Sequence, residues 1–250
     1  MEPNISSPSN EKLKAWLKLS DSKAIKKSRQ FLFHDFELLE EVFSQKTSLN
    51  SNFLGLITSE RSDFPKLYQN QPVYRLKKEL FSKLDLFQLN SPIGIFEYQK
   101  FPEFEYSPTI SSPEIFLPLG DPLNLGASLR NILAFNFQKV ILLKESAHPF
   151  HPKSLYASRG AGLFLDLKSG PSIQDLDFDI LALDRGGENL HQFEWPKNFR
   201  LLLGEEGPGV PKLKNLKKIE VPIGPLTESL NAMAALSIAL YSYRTQYSLK

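Results

Sequence analysis

Three short stretches of this 250-residue chain gather the glycine, proline, amide and charged residues from which a pocket could be built. They are Gly120-Asp-Pro-Leu-Asn-Leu-Gly-Ala-Ser-Leu-Arg130, Gly204-Glu-Glu-Gly-Pro-Gly-Val-Pro211 and Pro222-Ile-Gly-Pro-Leu-Thr-Glu-Ser-Leu-Asn231. Each follows a short apolar run that reads as a buried strand. Ligands of open α/β sheets sit beyond the carboxyl ends of the strands, so the three loops are expected to meet at one crevice. Its polar groups would be Arg130, Glu206, Ser229 and Asn231. Taken singly, each has a plainer alternative. Ser229 stands where the last helix begins and could cap it, while Arg130 and Glu206 could be solvated surface charges.

Several chemistries are excluded by what stands beside the glycines. Gly204 and Gly209 have P-loop spacing, but Val210 and Pro211 occupy the positions where Lys and Ser/Thr would hold phosphate and magnesium. Gly207 and Gly209 open a dinucleotide fingerprint that Lys212 breaks. No Gly-x-Ser-x-Gly elbow occurs. His148-Pro-Phe-His151 could bring two imidazoles together, but no carboxylate or thiolate completes a ligand set by spacing, so no metal is expected. Cysteine is absent, which removes disulfides, thiolate metal sites and cysteine nucleophiles.

The elements that must position these loops are legible in the apolar pattern. From Glu114 onward, continuous runs at 115–119, 140–143, 163–167, 180–183, 201–203 and 219–223 suit strands buried on both faces. Helical segments at 125–135 and 230–243 lie among them, which implies a mostly parallel sheet covered by helices. The last of these has no strongly polar face, so it should be buried against the sheet or a partner subunit. Upstream, strands are expected at 53–58, 72–76 and 93–98, with helical spacing at 11–19, 35–43, 61–68 and 77–87. The fold class is therefore α/β, a small α/β unit preceding a larger mostly parallel one. A stretch with Pro102, Pro108 and Pro113 reads as an exposed linker over 99–113.

The composition, 41% apolar and 23% charged, is that of soluble globular domains. No apolar run reaches the ~18 to 20 residues of a membrane span, and the first residues lack a basic head followed by an apolar block. A cytoplasmic protein without a membrane partner is expected. The net charge is only +2, yet residues 11–30 hold Lys12, Lys14, Lys18, Lys23, Lys26, Lys27 and Arg29 against Glu11 and Asp21. That segment, within a leader over 1–28 expected to be partly disordered, reads either as a solvated surface or as a nucleic-acid contact.

Asn124-Leu-Gly-Ala-Ser-Leu-Arg130, Leu202-Leu-Gly-Glu-Glu-Gly-Pro-Gly-Val210, and Val221-Pro-Ile223 followed by Glu228-Ser-Leu-Asn-Ala-Met-Ala-Ala235 resemble the three ordered motifs of the SpoU (TrmH-type) RNA ribose 2′-O-methyltransferases of the SPOUT superfamily. Ala157-Ser-Arg-Gly-Ala161 resembles that family's small-residue segment between the first two, with Arg159 bulkier than usual. The resemblance covers 114–245 and implies a methyltransferase domain over 114–250 with a trefoil knot. Residues 29–98 resemble, more loosely, the L30e-like RNA-binding domain that precedes it in many members.

By the same resemblance, Leu203, Gly204, Val221, Ile223 and Leu230 would hold S-adenosyl-L-methionine. Arg130 would stand near the target ribose, and Asn124, Glu206, Ser229 and Asn231 would shape the catalytic pocket. The family places the arginine of one subunit against the cofactor of the other, so a homodimer is implied. The expected activity is methylation of a ribose 2′-hydroxyl in structured RNA, ribosomal rather than transfer RNA. The alternatives are a transfer RNA ribose methyltransferase and a catalytically silent RNA-binding protein on the same fold. A guanidinium is a poor proton acceptor, so Arg130 is expected to hold phosphate and stabilise the developing alkoxide.

Overall fold

The computed structural model describes residues 4–35, 38, 51–59, 72–205, 207–227 and 229–247. In chain order the first elements are β1 (Asn4–Ile5), α1 (Glu11–Leu17), α2 (Ser22–Ser28), β2 (Gln30–Phe33), β3 (Ser51–Ser59), β4 (Val73–Leu76), α3 (Lys78–Phe81) and β5 (Ile93–Tyr98). Then follow β6 (Glu114–Leu117), α4 (Pro122–Ala134), β7 (Lys139–Leu142), α5 (Pro152–Ser158) and β8 (Asp166–Ser169). The last are β9 (Ile180–Asn189), β10 (Arg200–Leu203), β11 (Leu216–Glu220) and α6 (Ala232–Gln246). The chain divides into two compact units, residues 1–100 with 148–163, and 101–147 with 164–250.

The first unit is built on a mixed sheet in the order β1-β4-β3-β5-β2. Within the expected leader over 1–28, the helical spacing read at 11–19 forms α1, which buries Leu13 and Trp16, and α2, not read from the pattern, is held by the single buried residue Ile25. Asn10 and Asp21 cap the two helices with side-chain oxygens that accept backbone N–H bonds. Residues 148–163 belong with this unit, whereas the sequence reading assigned everything from 114 onward to the second. The reason is aromatic packing, since Phe150 stacks on Phe31 at 4.4 Å. The helix expected over 77–87 is short. Asp85 accepts bonds from the N–H groups of Leu89 and Asn90 and draws the chain into a turn. Of the helical patterns at 35–43 and 61–68, the second and nearly all of the first lie outside the described residues.

In the second unit the sheet order is β11-β9-β10-β6-β7-β8, with every neighbouring pair parallel. Continuous apolar runs are required because both faces are covered. One face carries Phe116, Ile141, Ala182 and Leu202, packed with Ile173 and Leu176. The alternate residues Ile115, Leu117, Val140, Leu201 and Leu203 point the other way and are also buried. The expected linker is partly structured. Phe104 packs against Phe116 at 5.2 Å, and Glu103 bridges to Ser169, so the chain lies against the sheet. Two boundaries differ from the pattern. Residues 163–165 precede β8 rather than forming it, and β11 ends at Glu220, leaving Val221 to Ile223 in a loop. No helix among the described residues is long and apolar enough to cross a membrane.

Candidate functional site

A cavity of about 530 Å³ opens in the second unit where β9, β10 and β11 reach their carboxyl ends. Seven of the ten residues singled out from the sequence line it: Leu203, Gly204, Val221, Ile223, Ser229, Leu230 and Asn231. Leu183, Ala232 and Ala235 extend its apolar wall, and Asp184, Arg185, Glu205 and Glu220 supply charge of both signs.

Backbone proximity explains the glycines. A Cβ at Gly204 would stand 2.9 Å from the carbonyl carbon of Gly209, so only glycine lets the strand end touch the loop that folds back on it. That loop is closed by reciprocal bonds of 3.0 Å between the backbones of Glu205 and Gly209. Gly207 and Gly209 take positive φ angles of 90° and 76°, a region that side chains disfavour. Glu206, the remaining acidic residue of the motif, lies outside the described residues.

A fourth segment was not among those picked out from the sequence. Asp184-Arg-Gly-Gly187 lies within β9, where the strand bulges out of register with β11, and its conformation is fixed by carboxylates. Asp184 receives Lys218 Nζ at 2.6 Å and the N–H of Arg185 at 2.9 Å, while Glu220 accepts the N–H of Gly186 at 2.6 Å. The signal was present, since a charged, glycine-bearing stretch follows the apolar run 180–183 there as it follows the apolar run 201–203.

Asn231 has two roles that one side chain can combine. It lines the cavity, and its Oδ1 caps α6 by accepting from Met233 and Ala234. The cap expected at Ser229 is therefore supplied two residues later, and Ser229 is an exposed residue of the cavity wall.

Arg130 and Asn124 do not line the cavity. Both lie on α4, whose N-cap is Asp121. Asn124 is in the first turn and half-buried, and Arg130 is exposed about 9 Å further along the helix axis. Helix α4 packs beside α6 with Asn131 Nδ2 donating to Ser237 Oγ at 2.8 Å. Exposed apolar side chains continue along this pair, Leu123 from α4 and Ile238 and Tyr241 from α6.

The two paired histidines, both in the first unit, serve as local supports. His148 Nδ1 accepts the N–H of Phe150, so Nε2 carries the proton and donates to Tyr98 Oη at 2.9 Å. Burial, reinforced by Lys26 and His151, pushes the His148 imidazole down to about 3. His151 caps α5 through Nδ1. In the same unit Arg159 ends that helix in the left-handed conformation, φ 50°, and pairs with Asp35.

A fully parallel sheet with a glycine-lined cavity at its carboxyl edge defines a ligand-binding α/β domain. The family model described as SpoU rRNA Methylase family matches residues 115–241, and the chain belongs to that family. A relative from Syntrophobacter fumaroxidans described as ribosomal RNA small subunit methyltransferase G 2 is 41% identical over 175 residues. That match takes in 68% of this chain but spans only 35% of the relative's length. The 23S rRNA (guanosine(2553)-2′-O)-methyltransferase RlmP of Bacillus subtilis is 26% identical over 96% of this chain and 98% of its own. The crystal structure of an AdoMet-bound rRNA methyltransferase from Sinorhizobium meliloti superimposes with a TM-score of 0.79 at 19% identity, covering 98% of both chains.

Proposed function

We propose that the protein transfers a methyl group from S-adenosylmethionine to a ribose 2′-hydroxyl of structured RNA, ribosomal RNA in the first instance. The observation that carries this is the convergence of two of the three loops, 203–209 and the stretch holding 221–223 and 229–231, on one cavity, while the first, 120–130, lies outside it. Membership of a family named for ribosomal RNA methylation supports the substrate, and the resemblance to RlmP supports the ribose position.

The cavity fits the donor. Its volume is within the range of small-molecule sites, ~300 to 1,000 Å³. The close contact of Gly204 with Gly209 leaves bare backbone at the cavity wall, and the apolar side chains of Leu203, Val221, Ile223 and Leu230 suit an adenine ring. Arg185 on one hand and Glu205 and Glu220 on the other suit a zwitterionic amino-acid end. When bound, the donor supplies an electrophilic methyl group on a sulfonium.

The chain's own residues orient the acceptor and keep water out. Well-aligned reactants recover ~7 to 11 kcal/mol of a barrier, which is the service a preformed cavity performs. Arg130, always cationic, holds a substrate phosphate and stabilises negative charge on the ribose oxygen. The proton leaves to phosphate or water. Because Arg130 lies outside its own chain's cavity, it serves that of a second copy, and the exposed Leu123, Ile238 and Tyr241 beside it support a homodimer across α4 and α6. Glu206, Ser229, Asn231 and Asn124 complete the pocket in this account. The knot follows the same family pattern, supported by β11 lying outside β9 although β10 intervenes in sequence. Residues 29–98 are assigned to an RNA-binding domain of L30e type.

The test is transfer from methyl-labelled S-adenosylmethionine to unmodified ribosomal RNA, followed by digestion to nucleosides. Label is expected in a 2′-O-methylnucleoside and should vanish in Arg130→Ala while donor affinity stays within about twofold. Label on a base would contradict the ribose assignment, and parallel loss of donor binding would contradict the role given to Arg130.

A further inference from the structure

At the carboxyl end of α4 the chain is already closed. The N–H of Phe137 reaches the carbonyl of Ile132 at 3.0 Å and that of Asn136, at φ 58°, reaches Leu133 at 2.8 Å, which satisfies the last turn internally. Arg244, from the last turn of α6, nevertheless grips this end. Its Nε donates to the carbonyl of Phe135 and its Nη2 to that of Asn136, both at 2.7 Å. The guanidinium also lies over the Phe137 ring at 4.7 Å. A cation at a helix carboxyl terminus is favourable, but two directed bonds and a ring contact do more than neutralise a dipole. They fix rotation.

One turn earlier Asn131 holds Ser237, so α4 is pinned to α6 at two heights along its axis. Helix α6 is anchored in turn. Tyr243 Oη donates to the carbonyl of Lys197, and Trp195 Nε1 donates to Ser242, both residues of the segment leading into β10. Gly204 follows that strand directly. A continuous rigid path therefore runs from the cavity wall through α6 to the helix that carries Arg130.

We infer that Arg244 is a positioning residue for methyl transfer, setting the rotation of α4 and hence the place of the Arg130 guanidinium. This rests on the reading of Arg130 given above. A roll of α4 by about 20° would swing a side-chain tip 5 to 6 Å from the axis through about 2 Å. In-line chemistry tolerates about 0.5 Å.

The experiment compares Arg244→Met, Arg244→Lys, Ser237→Ala and Arg130→Ala, at a temperature where circular dichroism shows each folded. It measures kcat and KM on ribosomal RNA and the calorimetric Kd for S-adenosylmethionine. Arg244→Met is expected to lower kcat about 10- to 100-fold, with KM and Kd within about twofold. Arg244→Lys, which keeps the charge and one bond, should recover part of the loss, and Ser237→Ala should lower kcat about threefold. An unchanged kcat in Arg244→Met, beside an inactive Arg130→Ala, would overturn the inference and leave the reading of Arg130 standing. So would a parallel loss of donor affinity, which would place the damage in the cavity. Should Arg244→Met not fold, an unchanged kcat in Ser237→Ala overturns it. An active Arg130→Ala would instead overturn the reading beneath it.

Discussion

Gly204 is the residue at which the cavity is most exposed to a single added carbon. A methyl group there meets the backbone of Gly209 at 2.9 and 3.0 Å and the nitrogen of Val210 at 3.1 Å, and no side chain can swing aside to relieve it. Gly204→Ala should push the 205–209 loop outward, lower S-adenosylmethionine affinity at least about tenfold by calorimetry and destabilise the fold by about 1 to 3 kcal/mol. Wild-type affinity in the alanine variant would show that the loop does not touch the donor. Asn231 teaches a related lesson at the same scale. Its amide caps α6 and its side chain lines the cavity, so the cap and the cavity position that the sequence offered together at Ser229 meet instead at Asn231, two residues on.

Among the elements, α2 offers a direct test of the RNA contact. Lys23, Lys26 and Lys27 share one helical face and are exposed, while Ile25 holds the helix to the sheet. If three phosphates are neutralised there, replacing all three with glutamate should reduce the slope of log affinity against log salt by about 2 to 3. Filter binding with structured ribosomal RNA measures it, and an unchanged slope would remove α2 from the interface. The fold of these elements was only partly legible. The strands of the second unit announce themselves because burial on both faces demands unbroken apolar runs. Helix α2 was missed because one buried residue, Ile25, makes no period. The attachment of 148–163 to the first unit was hidden because stacking of Phe150 on Phe31 is a contact between distant segments, which no local pattern encodes. The cavity was legible through its strand-end loops, apart from 184–187. The apolar and glycine pattern alone put Arg130 in the same crevice, and only the family resemblance set it apart from its own chain's cavity, since local pattern carries no information on how far one loop ends up from another.

Across the whole molecule, buried histidines couple stability to acid. The folded state holds His148 neutral down to about pH 3, and burial lowers His34 as well, whereas the unfolded chain protonates both near 6.5. Below 6.5 the unfolded state thus binds more protons, and stability falls as pH drops, by about 1.4 kcal/mol per pH unit for His148 down to about pH 3, with His34 adding in the same direction. His148→Gln should flatten the decline of Tm between pH 6.5 and 4, and an unaltered slope would mean that carboxylates alone set it.

The same global view frames the main claim, that segments far apart in the chain enclose one methyl donor. Amide hydrogen exchange with and without S-adenosylmethionine tests it most directly. Slowed exchange is predicted together at 183–187, 203–210, 220–223 and 229–235, the walls of the cavity. Protection confined to one of these segments, or appearing elsewhere in the chain with none of them affected, would contradict the account.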